Sequence, residues 1–346
     1  MRLFYLLPLI FSLYSCSKST PSFTEVQIEE VFADSLQTIR DLQAKNTENI
    51  WFSAGEGRVG VLQNGVPKMA SVRYNETILK FKSIAVQDSV VYLLHPTRPA
   101  LVYKLDYDHE GAKNLESVYI EEAEEVFYNV MAFWDAEKGI LVGERENSDC
   151  LAMTRTMDGG KTWEDISCND LPSLEEGELL FASSNSNISV HGSHIWVATG
   201  GTKARVFYSA DYGENWEVYS TPIIQGEVGA GIFSIDFFDA NHGVIIGGKW
   251  NDKKFNKGNK AYTKDGGKSW KLLGNDAYPG LQKQVVFVPN SSGKSMLAIG
   301  EDGIAYSKNA KDWEKLSDKI LDKISFVNYS TAYASEKGTL YRLVFR

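Results

Sequence analysis

Five basic side chains stand where short apolar runs give way to Gly, Pro and polar residues. They are Arg58 in GEGR (55–58), Arg98 in HPTR (95–98), Arg145 in GEREN (143–147), Arg205 in GGTKAR (200–205) and Lys249, beside Trp250, in GGKWNDKKFNKGNK (247–260). Guanidinium groups converging on one place suit a carboxylate or an acidic peptide, because the planar fork donates two parallel hydrogen bonds where an ammonium acts as a point charge. Glu56, Glu144 and Glu301 are interleaved with them, each directly after a glycine. Arginines and carboxylates together could instead serve glycoside cleavage, which needs an acid/base carboxyl and a second group across the scissile bond. The candidates thus divide between a site that holds an anionic segment and a site that cuts a glycan.

Other chemistries have less support. The five histidines, His95, His109, His191, His194 and His242, are scattered, and His191 with His194 is too isolated a pair to make a metal site. No Ser-His-Asp spacing stands out. GEGRVG (55–60) follows one strand-like run and opens another, whereas a dinucleotide-binding glycine loop opens a helix. With 36 Lys and Arg against 45 Asp and Glu, the formal charge is −9, which disfavours a nucleic-acid partner. The expectation is a chain with no metal, no cofactor and no nucleic acid.

The elements that must position these residues announce themselves through a repeated turn. TMDGGKTW (156–163), SADYGENW (209–216) and TKDGGKSW (263–270) start 53 and 54 residues apart, and a degenerate copy, SKNAKDW, follows at 307–313. In each turn the hydroxyl and the carboxylate (Thr156 and Asp158, Ser209 and Asp211, Thr263 and Asp265) can accept backbone N–H bonds. Gly160, Gly213 and Gly267 supply a backbone shape that a Cβ would resist, and Trp163, Trp216 and Trp270 offer a packing face at one offset. The same carboxylate in blade after blade is a fastener of the fold, not a catalytic group. Four short apolar runs per repeat point to β-propeller blades. Candidate second strands at 50–54, 90–94, 140–143, 195–199, 244–247, 296–299 and 331–334 predict seven. The seventh runs out of chain at TLYRLVF (339–345), and pairing TEVQIEEVF (24–32) onto it would close the ring without an orphan edge. Residues 32–44 read as an inner strand or, alternatively, a short helix. Loops between second and third strands would share one face, carrying Arg58, Arg98, Arg145, Arg205, Lys249 and Trp250, and the repeated turns would lie on the other.

The pattern S/T-x-D-x-G-x-x-W is similar to the Asp-box, or bacterial neuraminidase repeat, of sialidases, sortilin-like receptors, some glycanases and the photosystem II stability and assembly factors of plants and cyanobacteria. The chain resembles the last family most, in GILVGE (139–144) followed by TMDGGKTW, with intact and shortened turns over about residues 127–316. That resemblance implies an all-β, seven-bladed propeller acting as a binding or assembly factor outside the cytoplasm, with no cofactor. Before residue 127 no such turn occurs, and blade assignment there rests on strand rhythm. No region resembles the R-I-P type motif of sialidases, so non-enzymatic binding is the expected function and sialidase or glycoside hydrolase activity the alternative.

MRLFYLLPLIFSLYSC (1–16) has one basic residue, an apolar run too short to span a bilayer with margin, then a small residue and a cysteine. Leu13-Tyr14-Ser15-Cys16 resembles a bacterial lipobox, which makes 1–15 a signal peptide, Cys16 a lipidated N-terminus, 16–23 a tether and 24–346 one domain. The expected location is the cell envelope, facing the periplasm and held to the membrane by lipid alone, as a monomer whose partner is an extracytoplasmic protein or acidic peptide. Cys150 and Cys168 flank the first turn. If Thr156 faces Trp163, facing residues have numbers that sum to 319, and those of the cysteines sum to 318. They should sit nearly opposite, and an oxidising compartment would bond them.

Overall fold

Near-continuous apolar runs such as GILVGER and GVIIGGK are strands covered on both faces, which is why they show no alternation. The computed structural model describes residues 22–35, 37–181, 184–274 and 276–346; Cys16 and the expected signal peptide, 1–15, lie outside them. The described residues form seven antiparallel blades of four strands, a to d from the centre outward. Inner strands a are Ile39–Ala44, Ser83–Val86, Val126–Phe133, Ile188–His191, Ala230–Phe237, Gln282–Phe287 and Lys323–Asn328. Each expected second strand is present, from Asn49–Ala54 in blade 1 to Thr331–Glu336 in blade 7. Within residues 32–44, Phe32 and Ala33 end the strand Val26–Ala33, and Ile39–Ala44 is the inner strand of blade 1, the strand alternative for this stretch.

Ring closure follows the expected pairing. Val26–Ala33 is strand d of blade 7, antiparallel to Thr339–Phe345, with Val26 opposite Phe345 and Ala33 opposite Thr339. Packing begins one residue before the domain start expected from the sequence: Phe23 is buried against Tyr306 and Phe345. Between neighbouring blades lies an apolar layer, for example Ile140, Val142, Ile195, Val197 and Phe207 between blades 3 and 4. Each fully buried side chain of this kind contributes about 1.5 to 3 kcal/mol, so cohesion is distributed around the ring.

The repeated turns are tied as their composition dictates. Thr156 Oγ1 donates to Asp158 Oδ1 at 2.9 Å and accepts from Gly160 N at 2.9 Å, while Asp158 Oδ1 accepts from Thr162 N at 2.9 Å. Ser209, Asp211 and Gly213 repeat this arrangement, as do Thr263, Asp265 and Gly267. Gly160 has φ 79°, and a Cβ there would lie 3.1 Å from Tyr92 of blade 2. In the degenerate copy Asn309 replaces the aspartate and accepts from Lys311 N and Asp312 N, and Ala310 takes the left-handed conformation at φ 65°.

The packing faces of the tryptophans fasten neighbouring blades to each other. Trp216 of blade 4 packs in the layer shared with blade 3, and Trp270 of blade 5 in the layer shared with blade 4. Trp163 meets Tyr119 of blade 2 at 5.8 Å. Aromatics of the preceding blade grip the turn backbone as well: Tyr92 Oη donates to Gly159 O at 2.8 Å and Trp196 Nε1 to Gly266 O at 2.8 Å.

The hairpin register is the one the numbering implied, with Thr154 facing Asp165 and Arg155 facing Glu164. Cys150 and Cys168 are disulfide-bonded, their Cα atoms 5.6 Å apart. Cys168 opens a short 3-10 turn, Cys168–Asp170.

Candidate functional site

Strands a leave one edge unpaired toward the central channel, and a free edge needs partners for its N–H and C=O groups. Polar side chains of the adjoining blade supply them. Ile84 N donates to Asp41 Oδ2 at 2.9 Å, Val86 N to Gln43 Oε1 at 2.8 Å, Phe287 N to Asp236 Oδ2 at 2.7 Å and Ile324 N to Gln284 Oε1 at 2.8 Å. The channel, about 460 Å³, is therefore polar for a structural reason. Burial pushes the Asp236 carboxyl up to about 7. Asp41 is also raised by burial, opposed chiefly by the nearby Lys323 ammonium.

Chain direction puts the heads of strands a, the b–c loops and the d–a connections on one face, and the Asp-box turns on the other. At the first face the channel opens into a cavity of about 260 Å³ whose wall carries Arg40, Lys82, Lys283 and Lys323 with Asp322 as the carboxylate. Strand bulges aim part of this set. The register of strand a slips at Ile39/Asp41, at Ile232/Ser234 and at Gln282/Gln284, leaving Arg40, Phe233 and Lys283 as extra residues that bend out of the ladder. A bulge re-aims a side chain in this way and is common beside functional sites. Phe233 stacks on Phe181 at 4.3 Å and lies parallel to Trp250, which stays 49% exposed on the rim.

Asn185, just ahead of strand a of blade 4, reaches across this opening. Its Nδ2 donates to Arg40 O and Lys82 O, and its Oδ1 accepts from Lys82 Nζ at 2.9 Å. Ser184 Oγ donates to Phe233 O, and Ser186 Oγ to Lys283 O at 3.0 Å, so the segment forms a crossbar tied to blades 1, 2, 5 and 6. Lys283 Nζ bridges Asp322 at 2.7 Å and Glu301 at 2.9 Å, and Glu301 also takes Lys253. Burial, and after it the neighbouring Lys323, lowers Lys82 to about 8.

The basic residues singled out from the loops all lie on this face, but they do not converge. Arg58 pairs with Asp34 at 2.8 Å. Arg205 is gripped through Nε and Nη2 by the buried carboxylate of Glu178, and Lys249 is paired with Glu227. Arg98 and Arg145 share a cavity of about 650 Å³ between blades 2 and 4, walled also by Glu124, Glu125, Glu144, Glu146 and Glu178. Trp250 alone of the set lines the channel mouth. The neutralising acids come from the d–a connections, which share the face with the b–c loops. Arg40, Lys82, Lys283 and Lys323 escaped the reading because they belong to inner strands instead of loops. Their signal is a basic residue at the head of four such strands, in IRD (39–41), FKS (81–83), QKQ (282–284) and DKI (322–324). No group of three or more His, Cys, Asp and Glu side chains placed to hold a metal ion occurs among the described residues.

No family model matches the chain, and no curated protein matches it either. Solved structures do share the fold. A structure of YCF48 bound to D1 peptide superposes with TM-score 0.67 at 12% identity, covering 96% of this chain and 99% of that one. A streptogramin B lyase structure gives TM-score 0.67 at 12% identity over 94% of this chain and 100% of that one. YCF48 from Cyanidioschyzon merolae gives TM-score 0.62 at 14% identity over 91% and 98%. At these identities the likeness is one of architecture.

Proposed function

We propose that the protein is a non-enzymatic binding module of the cell envelope, anchored by lipid at Cys16, that holds a segment of an extracytoplasmic protein against its loop face. The observation that carries this reading is the channel mouth, where Arg40, Lys82, Lys283 and Lys323 surround one opening beside Phe233 and the half-exposed Trp250. In a chain of net charge −9 such a cluster is the preferred landing place for an acidic segment, and an aromatic rim gives its apolar side chains a surface. Arg98, Arg145 and Lys249 extend the docking surface outward, the two arginines as hydrogen-bond donors within a glutamate-lined cavity that accepts the polar or basic part of the segment. The structural neighbour that carries a peptide supports this choice, because it places a polypeptide ligand on the same architecture.

Short acidic, neutral and basic peptides titrated against the purified chain, followed by tryptophan fluorescence, test this reading. Acidic peptides should bind best, binding should weaken as salt rises from low to physiological strength, and Trp250→Ala should reduce both affinity and the fluorescence change. Equal binding of all three peptide classes, or release of sugar from sialosides or chromogenic glycosides by the purified protein, would replace this reading with another.

A further inference from the structure

Lys323 stands out within the mouth. It is 8% exposed, it lines both the channel and the mouth cavity, and among the described residues its ammonium has no hydrogen bond and no carboxylate within ion-pair reach. A buried cation without a partner is costly and persists only where something compensates it. The charges around it do so only in part: burial, with Lys283 after it, disfavours its charged form, and Asp41 and Asp322 support that form from beyond ion-pair distance. Lys253 and Lys283 are matched by Glu301 and Asp322. Asp41 already accepts from Leu42 N, Ile84 N and the Ser83 hydroxyl, and Arg40 and Lys82 bring further positive charge to the same opening. Blade 5, across the ring from blades 1, 2 and 7, contributes the apolar Phe233 and Trp250 to the same cavity.

From the unpartnered Lys323 at the throat, the flanking Arg40 and Lys82 and the apolar Phe233 and Trp250 of blade 5, we infer that the mouth is a binding site for an organic carboxylate. The carboxylate lies against Lys323, and the carbon skeleton packs on Phe233 and Trp250. This deepens the docking reading by naming the group that enters the opening, and it rests on that reading only for the polypeptide source. The carboxylate comes from the free C-terminus of a bound chain or from a small aromatic acid. The apolar Phe233 and Trp250 distinguish either from an inorganic oxyanion, which has no carbon skeleton to lay against them. Burial lowers the proton affinity of both Lys82 and Lys323, and an incoming carboxylate reverses that by favouring their charged forms.

The test uses the full mature chain with 3-phenylpropionate, its amide, inorganic phosphate, and a short peptide ending in phenylalanine as free acid or amide. Calorimetry and melting temperature are the readouts. The two acids should bind and raise the Tm, and the amides should bind at least tenfold more weakly. A peptide acid at least tenfold tighter than 3-phenylpropionate assigns the site to a chain terminus; equal affinities assign it to a small acid. Lys323→Met should abolish the acid-dependent shift while the ligand-free Tm stays level or rises, since a buried charge compensated only in part has been removed. Arg40→Gln, an exposed change that leaves folding alone, should weaken the acids at least fivefold. Amides binding as well as acids, phosphate binding as tightly as 3-phenylpropionate, or a lower ligand-free Tm for Lys323→Met with unchanged acid affinity would each overturn the inference. Should acidic peptides dock with internal residues and ignore their terminus, the docking reading stands and this one fails. Should 3-phenylpropionate bind while no peptide does, the reverse holds.

Discussion

Asp158 and Asp236 are the same side chain on opposite sides of one ring, and their surroundings drive them in opposite directions. On the Asp-box face, Asp158 sits in a turn that wraps it in donors: the Thr162 hydroxyl first, with the Thr162 N–H and the Thr156 hydroxyl, holds its carboxyl down at about 2. Inside the channel, Asp236 also accepts N–H bonds, from Phe237 and Phe287, yet burial outweighs them and pushes it up to about 7. The turn face spends its charges on closing itself, whereas the channel and its mouth hold charges that their surroundings do not fully satisfy. Fastening belongs to the first region and recognition to the second.

The sharpest way to break this division is Trp216→Ala. Removing a buried ring from the layer between blades 3 and 4 should cost about 3 to 5 kcal/mol without changing acid or peptide affinity once variants are compared at matched stability. A variant that melts like the parent yet loses binding would move function onto the Asp-box face. Reduction of the Cys150–Cys168 bond, which spans 18 residues, should cost about 3 kcal/mol through the freed loop. Denaturant titration with and without reductant measures it, and two alkylatable thiols in the native protein would remove the premise. Asp211→Ala leaves the N–H of Asn215 without its acceptor and that of Glu214 with only the Asp211 backbone carbonyl, a loss comparable to that of a helix cap, about 1 to 2 kcal/mol.

The smallest effects are in pH dependence, and they carry opposite signs. Above the ordinary carboxylate range near pH 4, Asp158 contributes stability, which is lost as pH falls from about 4 toward 2. Asp236 keeps its proton in the folded state up to about 7 while the unfolded chain has released it near 4, so its contribution falls as pH rises from about 4 to about 7 and is flat above. Asp158→Asn should flatten the acid limb of a Tm-against-pH curve, and Asp236→Asn should flatten the limb between 4 and 7. Identical curves for Asp236→Asn and the parent would mean that the channel carboxyl titrates as it does in water.

Much of the ring is legible in the residues because its parts are local. A strand buried on both faces, such as Val244–Ile246, cannot hide its apolar run, and the hairpin around TMDGGKTW fixes its own register tightly enough to place Cys150 against Cys168. The mouth is another matter. Arg40, Lys82, Lys283 and Lys323 come from four blades, and bulges turn the first and third out of their ladders, a backbone choice that no local pattern announces. Loop arginines were easier to see and less available: Arg58 and Arg205 have carboxylates waiting on connections that share their face.

The closed ring also has a footing. Val26 stands opposite Phe345, and Thr24 N donates to Arg346 O at 2.7 Å, so both ends of the described chain leave blade 7 where its own Asp-box turn would otherwise be. With Cys16 lipidated as proposed, only residues 17–22 separate the membrane from the buried Phe23, a reach of about 25 Å at full extension. The propeller would then rest on its fastened side, with blade 7 nearest the bilayer. Its open mouth would look out into the aqueous compartment, presented to soluble or protruding chain ends and turned away from lipid.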